Sequence, residues 1–108
     1  MSQKIAGTVV KGDGYGRKIG FPTINLDTQN VEIKEGVYSG IAIMGGHEYR
    51  AGIVIGPNNK IEAHLIGYNG NAYGEDVILE VEKFIRGYKK FDTEELLIAQ
   101  IKEDLKQC

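Results

Sequence analysis

Between residues 5 and 86 the chain passes through six short runs rich in β-branched and aromatic residues, and this recurrence restricts the fold more than any other feature. The runs are Ile5 to Lys11, Phe21 to Leu26, Val37 to Met44, Glu48 to Ile55, Ile61 to Tyr68 and Val77 to Arg86, with the length and composition of strands. Gly45-Gly46 separates the third run from the fourth. Two glycines reach the positive φ values of a tight hairpin, so these strands should pair antiparallel. Pro57-Asn58-Asn59-Lys60 reads as another short turn. Helical spacing appears only after Phe91, where Leu97, Ile98, Ile101 and Leu105 form a stripe among Glu94, Glu95, Lys102, Glu103 and Lys106. Asp92, with Glu95 three residues on, has the pattern of a capping box and puts the helix start near Thr93. The stripe is expected to pack on the strands. Antiparallel strands plus one terminal helix suit a small closed barrel, because closure removes exposed edges. The reading is mainly β, one domain over 1–108, with a barrel over about 4–91 and a helix over about 93–106.

Composition narrows the function classes. A hydrophobic share of 42% and a charged share of 26% are ordinary for a folded domain. Thirteen Lys and Arg against fifteen Asp and Glu leave a net charge of −2, which gives no general attraction for nucleic acid or an anionic membrane. Neither is expected as a partner. Cys108 is the one cysteine, so no internal disulfide framework exists and the cytoplasm is the expected compartment. With only His47 and His64 beside it there is no Cys/His zinc set. No apolar run approaches the ~18 residues that span a bilayer. A monomer is expected, since a closed barrel needs no partner for its edges.

Four segments carry possible chemistry. Gly12, Gly14, Gly16 and Gly20 enclose Arg17 and Lys18 directly after the first strand, and bare backbone with two cations can cradle phosphate. No Gly-Lys-Ser/Thr ends the cluster, and Arg17 stands where the dinucleotide fingerprint needs glycine. A glycine-rich turn with solvated cations is the plainer alternative. Thr23 and Asn25 follow, two apart, and face one way if extended. Their oxygens could share a Mg²⁺ ion, which often takes one or two protein donors and leaves the rest to water and phosphates; otherwise they satisfy turn backbone. In Ile61-Glu62-Ala63-His64-Leu65 the apolar residues take one face and Glu62 and His64 the other. Glu62 is a candidate general base, or a solvated strand carboxylate; His64 reads equally as a packed, hydrogen-bonded imidazole. Phe84, Arg86, Tyr88, Lys89, Lys90 and Phe91 mix cations with aromatics and could flank a planar ring.

In order, Gly7-x-Val9-x-x-Gly12, Gly14-x-Gly16-Arg17-Lys18-x-Gly20-Phe21-Pro22-Thr23-x-Asn25, Gly36-Val37-Tyr38, Ile55-Gly56, Glu62-x-His64, Tyr73-Gly74, Ile85-Arg86 and Phe91 resemble riboflavin kinase over nearly the whole chain. The resemblance is to the kinase domain that stands alone in eukaryotes and forms the C-terminal half of bifunctional bacterial FAD synthetases. It implies a six-stranded Greek-key barrel with a C-terminal helix, and transfer of the γ-phosphate of ATP to the 5′-hydroxyl of riboflavin, giving FMN and ADP. It implies Mg²⁺, with Zn²⁺ or Mn²⁺ as alternatives, held by Thr23 and Asn25. Glu62 becomes the base. Gly12, Arg17, Lys18, Thr23, Leu65 and Tyr73 fall at the nucleotide, and Arg86, Lys89 and Phe91 on the flap over the flavin. A non-catalytic flavin- or nucleotide-binding module of the same fold is the second reading.

Overall fold

Alternation of side chains across each extended run decides which face meets the core. The computed structural model describes residues 3–12, 14–28, 31–70 and 72–108; Asp13, inside the glycine cluster, lies outside them. Six strands form: β1 (Gln3–Val10), β2 (Ile24–Asp27), β3 (Gly36–Met44), β4 (His47–Ile55), β5 (Ile61–Leu65) and β6 (Asp76–Arg86). They close into an antiparallel barrel in the order β1-β2-β5-β4-β3-β6. Consecutive strands β3, β4 and β5 pair in turn, and β6 returns to lie beside β3, which is a Greek-key path.

The inner faces supply the core. Ala42, Ala51, Ile53, Ala63 and Leu79 are completely buried, with Val9, Ile55, Ile61 and Val77 nearly so. Small and branched residues alternate here because six strands enclose only enough space for side chains. At Gly40 the β3–β6 register shifts, and a Cβ there would collide with the Glu80 carbonyl. Gly45 and Gly46 close the β3–β4 hairpin with φ of 59° and 80°. Asn58 and Asn59 sit in the left-handed region, with φ of 59° and 57°, in a single 3₁₀ turn that joins β4 to β5. Asparagine tolerates that conformation better than other side-chain-bearing residues.

Two expected strand boundaries and the capping residue of the helix change, each for a local reason. β2 starts at Ile24 rather than Phe21, because Pro22 has no N–H for a ladder and the Phe21 N–H donates instead to the Gly16 carbonyl at 2.7 Å. β5 ends at Leu65 rather than Tyr68, since Gly67 turns the chain with φ of 86°. The terminal helix spans Glu94–Leu105, and its cap is Thr93, whose Oγ1 accepts from the Leu96 N–H at 3.2 Å. Asp92 therefore does not cap, and the third helical position is Leu96, not a glutamate, so there is no capping box. The glycine cluster contains a further surprise, a one-turn helix α1 (Tyr15–Lys18); the terminal helix is α2.

The stripe on α2 packs less than expected. Among the described residues the core cluster takes no member from α2, and the helix's buried residue is the charged Asp104. Leu105 reaches Gly52 on β4, where its Cδ2 would stand 3.2 Å from an added Cβ. Leu97, Ile101 and Leu105 otherwise line an open groove.

Candidate active site

The β2–β5 ladder builds the centre of the site. Asn25 pairs across it with Glu62, and Ile24 with Ala63. Ile24 and Ala63 point into the core, so Asn25 and Glu62 stand side by side outside. Thr23 precedes β2, and the same register carried one step further places it opposite His64. Four polar side chains thus share one outer patch. Within it the Thr23 Oγ1 donates to Glu62 Oε1 at 3.4 Å. The His64 Nδ1 meets the Pro22 carbonyl at 2.7 Å, and the Phe21 ring stands edge-on to the imidazole, centroids 6.0 Å apart.

The glycine loop closes over this patch. A Cβ at Gly12 would collide with the Asn25 amide, so glycine lets the loop backbone lie directly against that side chain. At Gly16 a Cβ would fall 2.5 Å from the Phe21 carbonyl and 3.4 Å from Thr23 Oγ1. The loop is a close-fitting lid on the Thr23–Asn25 pair.

Two cavities meet at Thr23. One, of about 40 Å³, opens at the barrel end and is bordered by Arg17, Thr23, Leu65, Gly70, Ala72 and Tyr73. It is much the smaller of the two, and Arg17 and the half-exposed Tyr73 stand on its border. The other is a groove of about 430 Å³ between β4, β5, the segment after β6 and α2, within the size range of small-molecule sites. Thr23, Glu62 and His64 line its floor, Phe91, Leu97 and Ile101 its apolar side. Although the chain carries a net charge of −2, Lys60, Arg86, Lys89 and Lys90 border this groove against Glu62 and Asp104.

Arg86 is held from α2. Its Nε and Nη2 donate to the Asp104 carboxylate at 3.1 and 2.9 Å, and Gln100 Nε2 donates to the same carboxylate at 2.9 Å. The Arg86 guanidinium lies 5.4 Å from the Phe91 ring centroid and the Lys89 ammonium 5.3 Å from it. The three flap residues are therefore one cluster.

The expected residues thus divide cleanly. Thr23, Asn25, Glu62 and Gly12 come together; Leu65, Tyr73 and Arg17 border the small cavity; Arg86, Lys89 and Phe91 border the groove. Lys18 borders an open depression together with Gly14, Tyr15 and Arg17, and of the two loop cations Arg17 alone also borders the small cavity. The helix wall of the groove and Asp104 were not anticipated. Their signal was available: Asp104 falls on the apolar stripe at helical spacing from Leu97 and Ile101, and a carboxylate there demands a buried partner.

The class of molecule is a closed six-stranded β-barrel with two cavities joined at one hydroxyl. A sequence model of the flavokinase family, described as riboflavin kinase, matches residues 1–108, and the chain belongs to that family. It is 36% identical over 110 residues to the RNA-binding riboflavin kinase RibR of Bacillus subtilis, covering 94% of this chain and 47% of that protein. A solved structure described as a macrolide-efflux protein from Streptococcus pneumoniae superposes with a TM-score of 0.91 at 31% identity, covering 97% of this chain and 38% of that one. Riboflavin kinase from Trypanosoma brucei has the same fold, with a TM-score of 0.74 at 20% identity over 98% of this chain and 78% of its own. The chain spans about half the length of the first of these relatives.

Proposed function

We propose that this chain transfers the γ-phosphoryl group of ATP to the 5′-hydroxyl of riboflavin. The observation that carries the reading is the position of Thr23, which borders both cavities and donates to Glu62. A phosphate donor in one cavity and an acceptor hydroxyl in the other would meet at that point. The groove's apolar side suits a planar flavin ring, and its cationic border suits the phosphate that flavin acquires.

The donor set fits Mg²⁺. Thr23 and Asn25 offer neutral oxygens, enough for a hard cation whose remaining ligands are water and phosphate oxygens, and Gly12 leaves the loop backbone room to lie beside them. When bound, the ion would neutralise charge on the β- and γ-phosphates. The rest falls to the chain's own side chains. The glycine loop and Arg17 orient the triphosphate, and the groove holds the flavin with its ribityl end toward Glu62. Glu62 accepts the proton of the 5′-hydroxyl as that oxygen bonds to the γ-phosphorus, while the bond from γ-phosphorus to the β–γ bridging oxygen breaks and ADP leaves. Positioning accounts for most of the acceleration in such a transfer.

Incubation with riboflavin, ATP and magnesium chloride, followed by chromatography of the flavins, tests the reading. FMN should accumulate with time and enzyme. No FMN above the enzyme-free control overturns it, and quenched flavin fluorescence without FMN identifies a binding module instead. Glu62→Gln should lower kcat about 100-fold or more while leaving flavin affinity near that of the unmutated chain. The RNA-binding description belongs to a relative about twice this length; the net charge of −2 here supports small-molecule substrates.

A further inference from the structure

His64 carries a role that neither flavin nor nucleotide contact assigns to it. The Pro22 carbonyl can only accept a hydrogen bond, so the 2.7 Å contact places a proton on Nδ1 and makes the imidazole the donor. Proline's ring already fixes φ near −65°. The remaining freedom of Pro22 is the orientation of the peptide plane that joins it to Thr23, and the carbonyl oxygen lies in that plane. Pinning the oxygen therefore pins the plane, and with it the backbone of Thr23.

The bond between Thr23 and Glu62 cannot do this itself, because 3.4 Å is at the weak end for two oxygens. Nor does β2, which begins only at Ile24. On its other side the segment is tied to the loop through the Phe21 N–H on Gly16. His64 ties Pro22, ahead of the ladder that starts at Ile24, to β5, the strand that bears Glu62. Phe21 buttresses the imidazole edge-on, so the ring is gripped by the segment it holds.

We propose that His64 is a positioning residue, which acts through the Pro22 carbonyl to hold the Thr23 hydroxyl in register with Glu62, so that its loss weakens magnesium-nucleotide binding. The proposal rests on the kinase reading above. The test is binding of ADP with magnesium chloride by calorimetry, without riboflavin and so without turnover, to the unmutated chain, His64→Leu and His64→Asn. Leucine keeps the bulk and removes the donor. The asparagine amide nitrogen stands near the place of Nδ1 and restores it. The dissociation constant should rise about three- to tenfold in His64→Leu and return to within about twofold in His64→Asn. Riboflavin affinity, read by fluorescence quenching, should change less than nucleotide affinity in both.

Equal nucleotide affinity in His64→Leu and the unmutated chain overturns the proposal while the kinase reading stands. Equal weakening in His64→Leu and His64→Asn also overturns it, since ring volume rather than the donated proton would then matter. Failure of the unmutated chain to bind the nucleotide at all removes both. Should His64→Leu fail to fold, His64→Gln, whose amide stands nearer the place of Nε2, carries the same expected loss.

Discussion

Leu79 in β6 and Asp104 in α2 are both buried, yet one is an isobutyl group among apolar neighbours and the other a carboxylate tied to Arg86 and Gln100. The barrel and its helical flank differ throughout in this way. The barrel's interior is filled by its own side chains, so burial of apolar surface stabilises it with no ligand present. The flank turns Leu97, Ile101 and Leu105 toward a groove, and besides the contact of Leu105 on Gly52 it is fastened to the barrel by the Arg86–Asp104 ion pair. A molecule seated in that groove would cover the stripe and stabilise the flank more than the barrel. The part of the chain that makes the fold and the part that completes the site are thus held by different forces.

The largest expected effect is on the barrel. Leu79→Ala removes a completely buried side chain and should lower stability by about 2–5 kcal/mol, measured by urea denaturation. Both regions should unfold together, because the flank has no core of its own among the described residues. Persistence of helical signal after the strands have melted would show that α2 is stable without the barrel.

A smaller and more local loss should follow Arg86→Met, which leaves the Asp104 carboxylate with Gln100 but without its cation. The Arg86 side chain is 22% exposed and that of Asp104 7%, so the expected loss is about 1–3 kcal/mol, below that of a wholly buried pair. Amide exchange reads it. Protection in α2 should fall while protection in β3 and β4 holds, and uniform loss across all strands would mean that the clasp supports the barrel as well.

The same division explains what could be read from the residues alone. Strand runs are legible because a side chain's face follows from its parity along the strand, and Ile61, Ala63 and Leu65 alternate with Glu62 and His64 without ambiguity. The Thr23–Asn25 pair and Glu62 were visible as candidates for the same reason. Their meeting across β2–β5 was not, because pairing between strands 39 residues apart depends on closure of the whole barrel. The bond from His64 to Pro22 was hidden likewise. Asp92 and Thr93 are both good cap residues, and it is the Thr93 hydroxyl that meets the Leu96 N–H. The glycine cluster misled in another way: four glycines suggested an open turn, whereas Tyr15–Lys18 closes one helical turn with bonds such as Lys18 N–H to the Gly14 carbonyl at 3.2 Å.

Thr93→Ala should have a smaller effect again. The hydroxyl satisfies the Leu96 N–H, and losing a cap of this kind costs about 1 kcal/mol. The loss should raise the alkylation rate of Cys108, which lies beyond the far end of the same helix and whose Sγ donates to the Asp104 carbonyl at 3.5 Å. An unchanged rate would show that the two ends of α2 open independently.

The smallest expected effect distinguishes the regions by pH. Burial raises the Cys108 thiol above its ordinary value of 9.0, with Asp104 adding to the shift and Arg50 opposing it. Burial also raises the Tyr38 phenol above 10.0, on β3, where its hydroxyl donates to the Lys34 carbonyl at 2.6 Å. Both groups hold their protons more firmly when folded than when unfolded. Below the ordinary values neither group ionises in either state, and stability is unaffected. Above them the unfolded form releases its proton first, so stability falls as pH rises. The flank should therefore begin to loosen from about pH 9.0 and the barrel only from about pH 10.0. Exchange of α2 amides, corrected for intrinsic rate, follows the first event and near-ultraviolet circular dichroism the second. Cys108→Ser should abolish the lower event and leave the upper one, whereas loosening of both regions at one pH in the unmutated chain would show that the helix and the barrel respond as a single unit.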